Sequence, residues 1–136
     1  MIKIIIFTHG ELGQAILKTA ENIVGKQEDA FVFTLEAGDS LSSVCRKFGE
    51  MLERLTNQEG ILILTDMKGG TPCNASLSFS KDEKIEIVTG INLYMLISAF
   101  MNRAKLPINE LAEKVIEDAK KNITNAKEKF LNKFKE

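Results

Sequence analysis

The chain has 136 residues, and its 18 lysines and arginines nearly balance 19 aspartates and glutamates, for a formal net charge of −1. This length fits a single domain spanning residues 1–136, and an apolar content of 44% supports a core without disulfides or metal. The balanced charge indicates no nucleic-acid surface, and no apolar run approaches the roughly 18–20 residues of a membrane span. We therefore expect a cytoplasmic domain that does not insert into the membrane. Cys45 and Cys73 fit no zinc or redox spacing and are expected as reduced thiols.

Short apolar runs alternate with stretches of helical periodicity. A continuous apolar, β-branched run is typical of a strand that is buried on both faces, and residues 2–8 and Ile61–Thr65 are predicted to be such strands. Ala30–Leu35 and Ile85–Thr89 are predicted as the second and fourth strands. Helices are predicted at Leu12–Val24, 41–55, from Thr71 onward, 93–101 and 108–119. Because parallel strands need crossover connections, this order predicts an α/β fold: a doubly wound, mainly parallel sheet of about four strands with helices on both faces.

Local signals place the ends of these helices. Gly25 should end the first helix, Ser40 should cap the second, residues 57–60 should break it, and Asn92 should cap the helix after the fourth strand. Thr71 followed by Pro72 predicts a third helix with Thr71 as its N-cap. The apolar spacing puts five residues on the buried face of the first helix: Leu12, Ala15, Ile16, Thr19 and Ile23.

The C-terminal tail follows a different pattern from the core at residues 1–121. Residues 122–125 are poor helix formers, and residues 126–135 predict a further helix with Phe130 and Phe134 turned inward. Ile123-Thr124 is the only short segment in this extension, residues 122–136, that suits a strand.

The only histidine, His9, follows the first apolar run and precedes Gly10. In open α/β sheets, ligands bind outside the carboxyl ends of the strands, which places residues 8–11, 66–71 and 90–92 around one crevice. A structural reading makes His9 a hydrogen-bonding cap. Gly10 beside it gives the backbone freedom, and Gly13 is expected to leave space over the first helical turn. Both glycines favour an open, reactive imidazole.

Asp66 ends the third apolar run. A charge at that point must face the crevice or be paired, although it could also simply cap the loop. If the first and third strands are neighbours, Asp66 meets His9. A carboxylate on one ring nitrogen fixes the tautomer and leaves the other nitrogen free to attack.

The sequence Gly69-Gly70-Thr71-Pro72 comes next. Two glycines before a helix allow backbone N–H groups to converge on an anion, although the same four residues also suit a plain turn. Neither a P-loop nor a dinucleotide motif is present. Cys73 is an alternative nucleophile, but it lacks basic neighbours and more simply packs as a small residue. No ligand spacing indicates a metal.

Three segments resemble the IIA components of the mannose/fructose/sorbose family of phosphoenolpyruvate-dependent sugar phosphotransferase systems (PTS). They are Thr-His-Gly-Glu-Leu-Gly at 8–13, Asp-Met-Lys-Gly-Gly-Thr-Pro-Cys-Asn-Ala at 66–75 and Val-Thr-Gly-Ile-Asn-Leu-Tyr-Met at 88–95. The third usually reads Gly-Val-Asn-Leu-Pro-Met in that family, so Tyr94 departs from it. The motifs occur in family order, and the resemblance covers about residues 1–120.

The resemblance implies a phosphocarrier without a cofactor. His9 would accept a phosphoryl group from phospho-HPr and pass it to the IIB component, which serves the IIC/IID transporter, and Asp66 would orient His9. Phosphoryl oxygens would be bound by Gly10, Gly69, Gly70 and Thr71, and the crevice rim that meets partner proteins would include Thr8, Glu11, Gly90 and Asn92. Family members form homodimers, in some cases by exchanging a C-terminal strand.

Two alternatives remain at this point. The phosphotransfer subunit of dihydroxyacetone kinase shares the fold and an N-terminal histidine, although the Gly-Gly-Thr-Pro-Cys-Asn motif argues against it. A receiver-like regulatory module phosphorylated on Asp66 would need an acidic pair after the first strand to hold magnesium, and Thr8-His9 stands there instead.

Overall fold

The computed structural model describes residues 1–55 and 58–135. Four strands alternate with helices, and two further helices follow: β1 Lys3–His9, α1 Leu12–Val24, β2 Ala30–Leu35, α2 Leu41–Arg54, β3 Ile61–Thr65, α3 Thr71–Leu77, β4 Ile85–Thr89, α4 Leu93–Asn102, α5 Ile108–Lys121 and α6 Ala126–Asn132. The predicted limits of β2, β3 and β4 are confirmed, and β1 lies one residue later than predicted. The predicted break after α2 falls partly on Asn57, which lies outside the described residues.

The strands form one parallel sheet in the order β2-β1-β3-β4. The predicted parallel α/β fold is therefore confirmed, and so is the expectation that β1 and β3 are neighbours. All four strands end at the same edge, which we call the carboxyl edge. Within the described residues, no helix is long and apolar enough to cross a membrane.

Helices cover both faces of the sheet. One apolar cluster joins alternate residues of β1 and β3, such as Ile6 and Leu64, to α1, α4 and α5. The other cluster joins the intervening residues, such as Phe7 and Ile63, to α2 and α3. Because β1 and β3 are apolar on both faces, they occupy the centre of the sheet, as a continuous apolar run predicts.

The buried face of α1 differs from the prediction. Leu12 and Ile23 are 46% and 59% exposed, Ala15 and Thr19 are also exposed, and of the predicted face only Ile16 is partly buried. The helix instead turns its small residues toward the sheet, with Gly13 and Ala20 buried. Small residues let the helix axis approach the sheet closely, so backbone proximity decides the orientation here instead of the apolar stripe.

Arg103 holds the opposite, amino end of the sheet together. It is 3% exposed, and its guanidinium donates to the backbone carbonyls of Ile2, Glu28 and Asp29 and to the side chain of Gln27. A buried cation needs such acceptors to offset the loss of its hydration. The contacts join the start of β1 to the loop before β2.

The C-terminal extension is helical but does not pack inward. Asn125 caps α6 by accepting the N–H of Glu128, which confirms the predicted helix. The expectation that Phe130 and Phe134 are buried was wrong, since they are 57% and 71% exposed. None of the described residues 122–135 forms a strand.

Candidate functional site

The carboxyl edge brings together the ends of β1 and β3. His9 is the last residue of β1, and Asp66 directly follows β3. The carboxylate oxygen Oδ2 of Asp66 lies 2.7 Å from His9 Nδ1 and accepts the backbone N–H of the same histidine at 2.9 Å. Its other oxygen, Oδ1, accepts the N–H of Met67 at 3.0 Å. The predicted meeting of His9 and Asp66 is confirmed.

These contacts favour the ionised form of Asp66 and one tautomer of the His9 ring. Burial raises the pKa of Asp66, but the hydrogen bonds from the backbone and ring of His9 outweigh it, so the pKa lies below its usual value. An ionised carboxylate can only accept hydrogen bonds, and Nδ1 of His9 must therefore donate. In the neutral ring, Nε2 then carries the lone pair. The His9 side chain is 44% exposed, whereas that of Asp66 is only 12% exposed. Of the two side chains, His9 is therefore the one that solvent and other molecules can reach.

The loop before α3 lies against the His9 ring. A Cβ added to Gly70 would fall 2.9 Å from His9 Cε1, so any side chain there would displace the imidazole. Gly69 has a φ of 83°, a conformation that L side chains rarely adopt. The loop therefore needs both glycines.

Thr71 is the first residue of α3, and the prediction that it is the N-cap was wrong. The N-cap is Gly70, in an extended conformation, and no side chain caps this helix. The shift leaves the Thr71 hydroxyl outside any cap hydrogen bond. The N–H of Gly70 makes only a long contact, 3.4 Å, with the carbonyl of Met67.

Asn74 supports this loop, a contribution that the sequence prediction missed. Its side-chain amide donates to the carbonyl of Gly69 at 3.2 Å. An exposed asparagine one turn into a helix, after a pair of glycines, is the available signal, because its short amide can reach back to the preceding loop.

Thr8 was predicted at the crevice rim and is instead completely buried. Its hydroxyl accepts the N–H of Gly13 at 2.9 Å, while Glu11, the N-cap residue of α1, makes no side-chain cap. The expectation that Gly13 leaves open space was also wrong, because a Cβ there would fall 2.9 Å from Val32 and 3.1 Å from the Thr8 hydroxyl. Gly10 does adopt the expected unusual conformation, with a φ of 53°.

The remaining predicted rim residues lie at the carboxyl edge. Glu11 and Gly90 are exposed. Asn92 is half-buried and its side chain caps α4, as predicted. The N–H of Ile91 donates to the carbonyl of Thr65 at 3.0 Å, which ties the turn after β4 to the strand that carries Asp66.

The cysteines take no part in this arrangement. Cys73 is 6% exposed and packs in the first turns of α3, while Cys45 is half-buried on α2, and both are free thiols. Across residues 1–55 and 58–135, no three histidine, cysteine or acidic side chains are grouped as metal ligands. The arrangement therefore offers one candidate nucleophile, Nε2 of His9, on an exposed side chain beside the loop at Gly70.

Known proteins share both the sequence pattern and the fold. Residues 3–116 match the family model described as "PTS system fructose IIA component". The chain is 32% identical over 134 residues to the mannose-specific EIIAB component of the PTS of Escherichia coli K12, covering 97% of this chain and 42% of that protein. It is 28% identical to the fructose-specific EIIA component of Bacillus subtilis, covering 82% of this chain and 77% of that protein.

A solved structure gives the same result. The EIIA component of Streptococcus agalactiae superposes with a TM-score of 0.82 at 36% identity, covering 92% of this chain and 97% of that one. The chain spans less than half the length of the E. coli EIIAB protein, so the comparison with that relative concerns its matching part. With a family model over most of its length and the expected fold, the chain belongs to the EIIA family of the sugar phosphotransferase system.

Proposed function

We propose that Nε2 of His9 carries the phosphoryl group. The supporting observation is the 2.7 Å contact between Asp66 and His9 Nδ1, which occupies one ring nitrogen and leaves the other as the nucleophile. In the forward step, the N–P bond of a donor phosphohistidine breaks as the Nε2–P bond forms. Nδ1 keeps its proton, shared with Asp66, so no separate acid or base is needed. Delivery to the acceptor reverses these changes.

The phosphoryl oxygens need donors near Nε2. We assign this role to the backbone N–H groups of Gly10, Gly69, Gly70 and Thr71, together with the Thr71 hydroxyl. The close approach of Gly70 to the imidazole supports the assignment, and so does the long 3.4 Å contact of its N–H, which an anion can replace. Phosphoryl transfer needs chiefly positioning and charge stabilisation, which these donors supply.

The partners in this proposal are proteins. Phospho-HPr is the donor, and a IIB component, which passes phosphate onward for uptake through IIC/IID, is the acceptor. Three exposed apolar side chains follow the ends of β1, β3 and β4: Leu12, Met67 and Tyr94, at 46%, 57% and 51% exposure. With Glu11 and Gly90 they offer a mixed apolar and polar rim around His9, suited to docking a protein. Sequence analysis missed Leu12 and Met67 at this rim, because the pattern predicts Leu12 on the buried face of a helix and Met67 in a loop.

The domain bounds, the cellular location and the oligomeric state are also part of the proposal. We treat residues 1–136 as one domain, with a core at 1–121 and an extension at 122–136, acting in the cytoplasm as a homodimer. The exposed apolar residues of the extension support the last point.

Label transfer from phosphoenolpyruvate through enzyme I and HPr tests the site. The full chain should take up one phosphoryl group that is acid-labile and base-stable, as a phosphohistidine is. Because His9 is the only histidine, His9→Ala should take up none, whereas Cys73→Ser should label normally. Base-labile, magnesium-dependent label on Asp66 would instead indicate a receiver. Adding a IIB component or a dihydroxyacetone kinase subunit to the labelled chain would show which of them draws phosphate.

A further inference from the structure

Met67 lies at the candidate site with both its backbone and its side chain. Its N–H donates to Oδ1 of Asp66 at 3.0 Å, and its carbonyl is the distant acceptor, at 3.4 Å, of the Gly70 N–H. A Cβ on Gly70 would fall 2.9 Å from His9 Cε1 and 3.3 Å from Met67 Cγ. Because Cε1 is bonded to Nε2, the Met67 side chain borders the edge of the imidazole that carries the proposed nucleophile, and its sulfur is one bond beyond Cγ.

The Met67 side chain is also open to solvent. Among the five methionines of the chain, Met67 is 57% exposed and Met101 is 56% exposed, whereas Met95 is 4% exposed. Met101 lies in the last turn of α4, which leads from the carboxyl edge toward Arg103 at the amino end of the sheet. The chain therefore carries two methionines of equal exposure, one beside His9 and one at the opposite end of the sheet.

A methionine suits a rim that two different proteins approach in turn. Its side chain is unbranched, flexible and polarisable, so it adapts to different surfaces. The same thioether reacts with peroxide, and the sulfoxide that forms is polar where the methionine was apolar. At Met67 this change would occur beside the position that the phosphoryl group of His9 takes.

We propose that Met67 is an oxidation site at which hydrogen peroxide reversibly slows phosphoryl uptake by His9. In this step a lone pair of the sulfur attacks one oxygen of the peroxide, and the S–O bond forms as the O–O bond breaks. Proton transfer to the departing hydroxide releases water. The sulfur is oxidised and the peroxide is reduced, so no further reactant is needed. The proposal rests on the proposed function, because it concerns the same nucleophile.

The sulfoxide acts on uptake through its oxygen. This oxygen carries partial negative charge and opposes the phosphoryl oxygens that arrive at Nε2. A protein docked on the rim also separates it from water, and a buried acceptor without a donor costs free energy equivalent to roughly 5- to 100-fold in rate. The hydrogen bond to Asp66 comes from the backbone of Met67, so oxidation leaves the His9–Asp66 pair in place.

Peroxide treatment of the full chain, followed by peptide mass spectrometry and the uptake assay, tests the proposal. Dithiothreitol is added after the treatment, so that reversible oxidation of Cys45 and Cys73 does not contribute. Met67 and Met101 should each gain one oxygen, while Met95 stays unmodified. Uptake from phospho-HPr, at a donor concentration well below saturation, should fall at least about fivefold. The two methionine sulfoxide reductases, which act on one sulfoxide epimer each, should restore it.

Two variants separate Met67 from other oxidised groups, and each is compared with its own untreated sample. Met67→Leu should keep its uptake rate after treatment, whereas Met101→Leu, the matched control, should lose as much as the wild type. The proposal is overturned by complete oxidation of Met67 without slower uptake, by protection of Met67 while Met101 is oxidised, or by an equal loss in Met67→Leu. If the untreated wild type takes up no label on His9, the phosphocarrier assignment itself fails, and this proposal fails with it.

Discussion

Replacing Asp66 with asparagine tests the proposed role of the His9–Asp66 pair at the carboxyl edge. The Oδ2 atom accepts two hydrogen bonds from His9, at 2.7 Å from the ring and 2.9 Å from the backbone, and Oδ1 accepts the N–H of Met67. An asparagine has one acceptor oxygen and one donor nitrogen. Its donor NH₂ group must therefore face either the donors of His9 or the N–H of Met67, and that hydrogen bond is lost. If the oxygen stays with His9, the ring keeps its tautomer but loses the negative partner.

The expected size of the effect follows from the loss of charge on the ring contact. A hydrogen bond to a charged group contributes about 1–2 kcal/mol more than a neutral one. Each 1.36 kcal/mol corresponds to roughly a tenfold change in rate. We therefore expect Asp66→Asn to slow phosphoryl uptake about 5- to 30-fold while the protein stays folded.

Rapid-quench measurement of uptake from phospho-HPr, at saturating donor, gives this rate directly. Asp39→Asn is the control, because Asp39 also accepts a backbone N–H, from Glu36, and lies 3.7 Å from a lysine amine. Its uptake should match the wild type. If Asp66→Asn transfers at the wild-type rate with an unchanged melting temperature, the carboxylate does not prepare the imidazole and the reasoning fails.

Three further predictions follow from contacts at the carboxyl edge and at the amino end of the sheet. Gly70→Ala places a methyl group 2.9 Å from the imidazole and should slow uptake by roughly 10- to 100-fold, whereas Gly49→Ala on α2 should leave the uptake rate unchanged. Arg103→Met removes the guanidinium that donates to the buried carbonyl of Ile2 and to the part-buried carbonyls of Glu28 and Asp29. It should lower the free energy of unfolding in urea by roughly 1–3 kcal/mol, against less than about 0.5 kcal/mol for the exposed pair lost in Arg46→Met. The pKa of Asp66 is lowered in the folded protein, so its ionised form stabilises the fold. This stabilisation is complete above about pH 4 and is lost as the pH falls through the folded-state pKa. Below about pH 4, the free energy of unfolding should therefore fall more steeply for the wild type than for Asp66→Asn.

Much of the fold could be predicted because its central strands are unambiguous. The run at Ile61–Thr65 is apolar up to its final threonine and bounded by turn residues, and its observed limits agree. The orientation of α1 could not be predicted in the same way. This helix carries an apolar stripe through Leu12 and Ile23 and a small-residue stripe through Gly13 and Ala20. Which stripe faces the sheet depends on how closely the helix approaches it, and periodicity does not reveal that distance.

In the candidate site too, some features could be predicted from the sequence and others could not. The pairing of His9 with Asp66 could be predicted, because both follow apolar runs and parallel order places neighbouring strand ends together. The burial of Thr8 could not, because the hydrogen bond from Gly13 to its hydroxyl depends on the path of the turn that Gly10 makes. Local spacing shows that a hydroxyl precedes the histidine, and only the folded backbone decides whether it faces inward.

In the proposed carrier, the same carboxylate would have two opposing effects on the phosphoryl group of His9. With Nδ1 protonated and facing Asp66, phosphorylation of Nε2 gives a cationic ring that lies between two anions. The ring charge and the backbone N–H groups near Gly70 stabilise the added phosphoryl oxygens, while the negative charge of Asp66 repels them. Because the ring keeps its Nδ1 proton, it leaves as a neutral imidazole when the N–P bond breaks, so the bond that forms would be easily broken again. A carrier needs this balance, because it must accept the group from one protein and release it to another. In the proposed carrier, the position of His9 at the end of a strand, 44% exposed, would let the donor and the acceptor approach the same ring in turn.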